Sequence, residues 1–296
     1  MKKAFEQGQR LGVDVLPRHF YSEIPNIHEL RTTTAWRRPF TMIGVPGAEV
    51  APQLAFVEGC CSSTVTEQLK AAPMYEQAAS HNGEEGYGPT EADFLYAYVY
   101  THQPAQIFQI GCGASTAICQ LAAAAAGYTP EIICVEPFPT PFLSQEAEAG
   151  RITLIHEKAQ ELDYAVIEGL REDVFFFVDS THTLGPSGEV SRIILEMLPR
   201  LKKGAHVHFH DINFPYDYHR KILEDRLFFW HESVLLHAFL TYNSRFKVLA
   251  SLSMLHYEAR DDLKRLLPNY RPALDDQGLN MSDGHFPNAI YLEVVA

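Results

Sequence analysis

The sequence predicts an α/β fold: a mainly parallel sheet with helices on both faces, running from about residue 89 to the end. Three observations carry this. From residue 106 onward, short β-rich runs alternate with helical patterns. Several of those runs are apolar throughout, as strands covered on both faces are. Two of them, 173–179 and 205–211, end in an acid as the chain leaves the sheet.

Taken in order, QIFQI (106–110) reads as the first strand and ASTAICQLAAAAAG as a helix closed by Gly127. EIICVE (131–136) and RITLIHE (151–157) follow as strands, then DVFFFVD (173–179). EVSRIILEMLPRLKKG is an amphipathic helix stopping at Gly204. AHVHFHD (205–211) is the next strand, 219–243 mainly helix, and FKVLASL and NAIYLEVV the last two strands. These two can form a hairpin around a long polar excursion, 256–287. Seven strands result.

Residues 1–88 differ: they are rich in Pro, Gly and Thr, with weak periodicity, and read as an accessory or lid segment. HNGEEGYGPT (81–90) is a turn-rich joint. Thr90 is placed to cap a helix over EADFLYAYVYTHQP. The expected division is therefore 1–88 accessory and 89–296 the main domain.

The chain of 296 residues is 46% hydrophobic, enough for a substantial core. Its formal net charge of −13 repels nucleic acid and anionic lipid, so neither is an expected partner. No apolar run approaches the ~20 residues of a membrane span, and MKKAFEQGQRLG lacks the apolar region of a secretory signal. The five cysteines include no C-x-x-C pair, which favours a reduced, cytoplasmic setting. The Asn280-Met281-Ser282 sequon matters only in a secreted protein.

FQIGCGAST (108–116) carries the first functional signal. A strand enters a Gly-x-Gly turn and leaves as a helix, so the helix N–H groups point at a ligand anion. Glu136 ends the next strand, where an acid can accept both ribose hydroxyls. Gly111, Gly113 and Glu136 together read as a cradle for an adenosine with a charged tail. Thr116 stands where a dinucleotide fingerprint has its third glycine, which weakens NAD.

These residues resemble class I S-adenosylmethionine-dependent methyltransferases over roughly 90–296. Gln109, Gly111, Gly113 and Ser115 match the family's first motif, Glu136 its ribose acid, and Asp179 the acid after its fourth strand. FYSEIPNIHEL, VEPFP, FFFVDSTH and VHFHDINFPYDY are similar to a bacterial subgroup acting on small molecules. The resemblance implies a Rossmann-like seven-stranded sheet with an antiparallel last strand, and S-adenosyl-L-methionine as cofactor. It also implies Gln160, after the third strand, near the adenine. Gln109 departs from the pattern, which has Glu there.

Methyl transfer to a hydroxyl or ammonium also needs a proton acceptor, and His suits neutral pH. His182, in Asp179-Ser180-Thr181-His182, and His210 are the candidate bases, with Asp211 orienting base or substrate. Oxygen of a small-molecule acceptor is expected ahead of nitrogen. Asp179 and Asp211 could share Mg²⁺, an option the spacing does not predict because the usual adjacent acid pair is missing. The rival reading is a metallohydrolase built on His206, His208, His210 and Asp211, since alternate strand residues share a face. A third is a non-catalytic cofactor-binding protein, hinted at by Gln109. Tyr216, Tyr218, Trp230 and His231 are candidate pocket residues. Phe20, Tyr21, Trp36, Arg37, Arg38 and Tyr87 could form a lid, or the segment could mediate a homodimer.

Overall fold

A computed structural model describes residues 2–34, 37–218, 221–272 and 286–296. Its contacts divide the chain into two compact units, Met1–Trp36 and Arg37–Ala296. The first holds helices α1 (Lys2–Arg10) and α2 (Ile27–Thr32). Asn26 caps α2 by accepting from the His28 amide.

The second unit opens with α3 (Val50–Cys60), α4 (Ser63–Ala71), α5 (Met74–Asn82) and α6 (Pro89–His102). There follow β1 (Gln106–Ile110), α7 (Ala114–Ala126), β2 (Glu131–Val135), α8 (Pro141–Glu148), β3 (Thr153–Ile155) and α9 (Tyr164–Glu168). Then come β4 (Phe175–Val178), α10 (Glu189–Arg192), β5 (His206–Phe209), α11 (Glu232–Leu240), β6 (Phe246–Ser251), α12 (Leu252–Glu258), α13 (Arg260–Leu266) and β7 (Ile290–Val294).

The seven strands form one sheet in the order β3-β2-β1-β4-β5-β7-β6. Strands β1 to β5 pair in parallel, and β7 runs antiparallel to both β5 and β6. This is the expected mostly parallel sheet with an antiparallel last strand.

Alternation along β4 explains why the run is apolar at every position. Phe175 and Phe177 enter the core under α3–α7, while Phe176 and Val178 enter the core on the opposite face. Each phenylalanine is fully buried, at about 1.5–3 kcal/mol apiece. The strand order reverses between β1 and β4, so a crevice opens beyond their C-terminal ends, where such sheets bind ligands.

Several local expectations change. Helix α6 starts at Pro89 with Gly88 as its N-cap, because proline is pre-organised for the first helical position. Thr90 lies inside it, buried, rather than capping it. The stretch 219–243 is not one helix: among its described residues, Lys221–Asp225 is a single π turn and Glu232–Leu240 an α-helix, with 226–231 outside both. Residues 50–82 are three helices, although their Pro and Gly content suggested irregular chain. Those residues stand at the ends: Pro73 precedes α5 and left-handed Gly83 closes it. Val57, Val65, Leu69 and Ala78 join the core beneath β4. The excursion after β6 begins with α12 and α13; the sequon and Trp36 lie outside the described residues. All five cysteines are unpaired.

Candidate functional site

The ends of β1, β2 and β4 are sewn together. The Gly111 amide donates to the Val135 carbonyl (3.2 Å) and the Asp179 amide to the Ile110 carbonyl (2.9 Å). At Gly111 φ is +79°, and a Cβ would fall 1.7 Å from the Asp179 carbonyl oxygen, so only glycine fits. Gly113 has φ +154°, and its Cβ would crowd the Asn82 amide at 3.0 Å.

Gln109 does not reach the crevice. It is fully buried; its Oε1 accepts from the Thr116 hydroxyl (2.8 Å) and its Nε2 donates to Ser115 Oγ (3.3 Å). The Thr116 oxygen also accepts from the Gly113 amide (3.3 Å). So Gln109 and Thr116, the two departures from the fingerprint, are bonded to each other and latch β1 to the first turn of α7.

Two adjoining cavities fill the crevice. One, about 310 Å³, is largely apolar and lined by Val135, Pro137, Phe138, Ala159 and Gln160, with Ser180 at its edge. The other, about 260 Å³, is polar and lined by Asn82, Glu84, Glu85 and residues 111–115. Both are walled by Gly111, Glu136, Phe138 and Asp179. Glu136 is held at this junction: Oε1 accepts from the Phe138 amide (2.9 Å) and Oε2 from the Cys112 amide (3.4 Å). The structure thus brings together Gly111, Gly113, Ser115, Glu136, Gln160 and Asp179 of the expected cofactor residues, without Gln109.

His182 is fixed on every side. Its Nδ1 lies 2.7 Å from Glu232 Oε2; its Nε2 lies 3.2 Å from Asp211 Oδ2 and 3.5 Å from Asp179 Oδ1. Its carbonyl accepts from the amides of His231 (3.0 Å) and Glu232 (3.3 Å). Burial alone would lower its pKa, but bonds to Asp179 and Glu232 and the charges of Glu232 and Asp211 carry it well above the ordinary value. Both ring nitrogens are thus engaged by carboxylates. Trp230 packs on the ring, centroids 4.6 Å apart.

Among the described residues His210 Nδ1 has no hydrogen-bond partner, and Nε2 lies 3.7 Å from Asp211 Oδ1. Burial lowers its pKa, yet Asp211, Asp179 and Glu91 raise it overall. Asp211 adopts φ +57° and also accepts from the Asn288 side chain.

His206 and His208 point to the face beneath α6, as alternation requires, and meet tyrosines there. His206 Nδ1 lies 2.7 Å from the Tyr98 hydroxyl, and His208 Nε2 lies 3.3 Å from that of Tyr87. His208 stacks on Phe177 at 4.4 Å. Burial pushes His206 down to about 4 and His208 well below its ordinary value. They are packed core groups, and among the described residues no cluster of three or more His, Cys, Asp or Glu is arranged to hold a metal. The metallohydrolase reading has no support in this arrangement. Tyr87 is likewise buried rather than a lid residue, and Tyr218 is buried with its hydroxyl accepting from the Ser233 amide (3.2 Å). Tyr216 packs against Tyr257.

Sequence reasoning missed Glu232, Glu91, Asn82 and Asn288. Glu91 is the one with a signal: an acid in an apolar helix. It is buried, accepts from the Asn288 amide (2.8 Å), and burial pushes it up to about 7.

Residues 108–212 match the family described as a methyltransferase domain. No curated protein matches the chain. Among solved structures, an S-adenosylhomocysteine-bound methyltransferase from Podospora anserina is 13% identical, covering 96% of this chain and 99% of that one at a TM-score of 0.41. A Klebsiella pneumoniae protein, an O-methyltransferase by assignment only, is 13% identical over 80% of this chain and 98% of its own at 0.46. The matched segment spans the glycine turn, Glu136, Asp179 and Asp211. Residues 108–212 are thus similar to a methyltransferase domain, set in a seven-stranded sheet of order β3-β2-β1-β4-β5-β7-β6.

Proposed function

We propose that the protein methylates an oxygen, ahead of a nitrogen, of a small-molecule acceptor, with His210 receiving the acceptor's proton. The observation that carries this is the pair of cavities meeting at Glu136. Their chemistry fits the cofactor: an apolar chamber for a base, a carboxylate for ribose hydroxyls, and a polar chamber at the α7 N-terminus for the charged tail. When bound, S-adenosylmethionine supplies a sulfonium methyl, an electrophile that has to be held in line with its acceptor.

The chain's own residues do the holding. Glu136 would accept from the ribose, Gln160 would border the base, and Gly111 lets the backbone approach. His210 has Nε2 near Asp211 and an Nδ1 unpartnered among the described residues, and the charges of Asp211 and Asp179 stabilise its protonated form after transfer. In the other direction, residues 1–88 act here as an accessory segment to a catalytic part over 89–296, and Asn82, Glu84 and Glu85 of that segment wall the polar chamber. Among the described residues no helix is long and apolar enough to cross a membrane, and the reading is of a cytoplasmic enzyme.

The test is labelled-methyl transfer to a panel of small hydroxylated and amino acceptors across pH. Turnover should rise as pH passes the raised His210 value, and His210→Gln should cut it about 10²–10⁴-fold at unchanged cofactor affinity. Cofactor binding without transfer to any acceptor would favour the non-catalytic reading. Unchanged turnover in His210→Gln would remove the base.

A further inference from the structure

His182 joins three parts of the site, and its Nε2, the nitrogen a base would use once a carboxylate holds Nδ1, already faces Asp211 and Asp179. It stands at the end of β4, three residues after Asp179, which walls both cavities. It touches Asp211 at the end of β5 and Glu232 at the start of α11. Glu232 is fully buried, and its Oε1 has no hydrogen-bond partner among the described residues. A buried carboxylate without a counter-charge costs several kcal/mol, so Glu232 and His182 stabilise each other as an ion pair. His182 also holds φ +60°, an unfavourable value for a residue with a Cβ, worth about 1–2 kcal/mol. The two amides of the α11 start on its carbonyl keep it there.

We propose that His182 is a positioning residue: an imidazolium that Glu232 keeps charged, fixing Asp179 and Asp211 side by side at the cofactor crevice. Two carboxylates sharing one site repel each other. A proton-bearing ring between them removes that repulsion and sets both directions at once. Asp179 is then held against the junction of the two cavities, and Asp211 is held between His182 and Asn288, beside His210. The charged and titratable groups around the ring are Asp179, Asp211, His210, Glu232 and, behind them, Glu91 and Tyr218. This inference rests on the proposed cofactor site for its consequence, though not for the clamp itself.

The experiment follows the ring nitrogens of ¹⁵N-histidine-labelled full-length protein by NMR from pH 5.5 to 8.5, with His182 assigned by its loss in His182→Gln. Both nitrogens should stay protonated through pH 8 in the native protein. Glu232→Gln keeps the shape and a hydrogen-bond acceptor but removes the charge, so His182 should titrate at lower pH. S-adenosylhomocysteine affinity, measured in parallel, should change less than about twofold between pH 6 and 8 in the native protein. In Glu232→Gln it should weaken about tenfold over that range, roughly the factor of one pK unit. His182→Gln should be weak at both values. A native His182 that titrates near 6.5 overturns the proposal, as does an equal loss in Glu232→Gln at pH 6 and pH 8, which a purely structural role predicts. If the cofactor analogue binds no variant, the NMR result still decides the clamp, and only the cofactor reading falls.

Discussion

His208 and His182 are both buried histidines at one sheet, and their environments drive them in opposite directions. His208 lies mid-strand against Phe177 and the Tyr87 hydroxyl, where burial keeps it neutral. His182 lies past a strand end among three carboxylates, where it is kept charged. The difference is one of position along the strand. Inside the sheet, a histidine meets side chains chosen for packing. Beyond the C-terminal edge, it meets the acids that follow β4 and β5 and the one that opens α11. Alternating histidines therefore said little about chemistry, while the acid-terminated runs said much.

The comparison breaks most sharply at Gly111. Gly111→Ala forces a Cβ into the Asp179 carbonyl at a left-handed backbone position. It should abolish cofactor binding and destabilise by about 3 kcal/mol or more, read by calorimetry and thermal unfolding. Near-native binding would mean that the turn relaxes and the edge is less constrained than described.

The next effect is smaller and lies inside the sheet. His208→Leu strands the Tyr87 hydroxyl and should cost about 1–3 kcal/mol in urea unfolding, with cofactor affinity unchanged. Loss of affinity beyond a fewfold would make His208 part of the site after all.

Gln109→Glu sharpens the same contrast at β1. Because position 109 is sealed against Ser115 and Thr116, a carboxylate there is a fully buried charge met only by hydroxyls. The variant should lose about 1–3 kcal/mol and gain no cofactor affinity. A clear gain would show that residue 109 faces the ligand.

The mildest effects are in pH dependence. His206, pushed down to about 4, takes up its proton more readily unfolded than folded. Stability should therefore fall as pH drops from roughly 6.5 toward 4, by at most ~1.4 kcal/mol per pH unit. His182 has the opposite sign: its contribution is full below roughly 6.5 and is lost only as pH rises through its raised native value. Urea unfolding from pH 5 to 8 should show a shallower acid slope in His206→Gln. An unchanged slope would place the proton uptake elsewhere.

Much of the main fold was legible because its strands are short apolar runs with acids and glycines at their ends. Gln106–Ile110 and the Gly127 stop fall where the pattern put them. Residues 50–82 were not legible as helices, since Pro73 and Gly83 look the same as loop punctuation whether they end a helix or fill a loop. The mainly helical reading of 219–243 missed the break between its two helical pieces, where Phe228 and Trp230 pack together and Trp230 lies on His182. In the site, Gly111, Glu136 and Asp179 were readable from strand ends. Glu232 was not, because a buried acid that answers a histidine 50 residues away leaves no local signal.

The central claim is that the two cavities meeting at Glu136 form one site for an adenosine with a charged sulfonium tail. Titration calorimetry of the purified, metal-free protein with S-adenosylmethionine, S-adenosylhomocysteine and NAD tests it most directly, alongside Glu136→Ala. The account predicts micromolar binding of both sulfur nucleotides, none of NAD, and a loss of at least about tenfold in Glu136→Ala, the scale of one lost charge-assisted hydrogen bond. Absence of binding by either sulfur nucleotide, or affinity indifferent to Glu136, would contradict it.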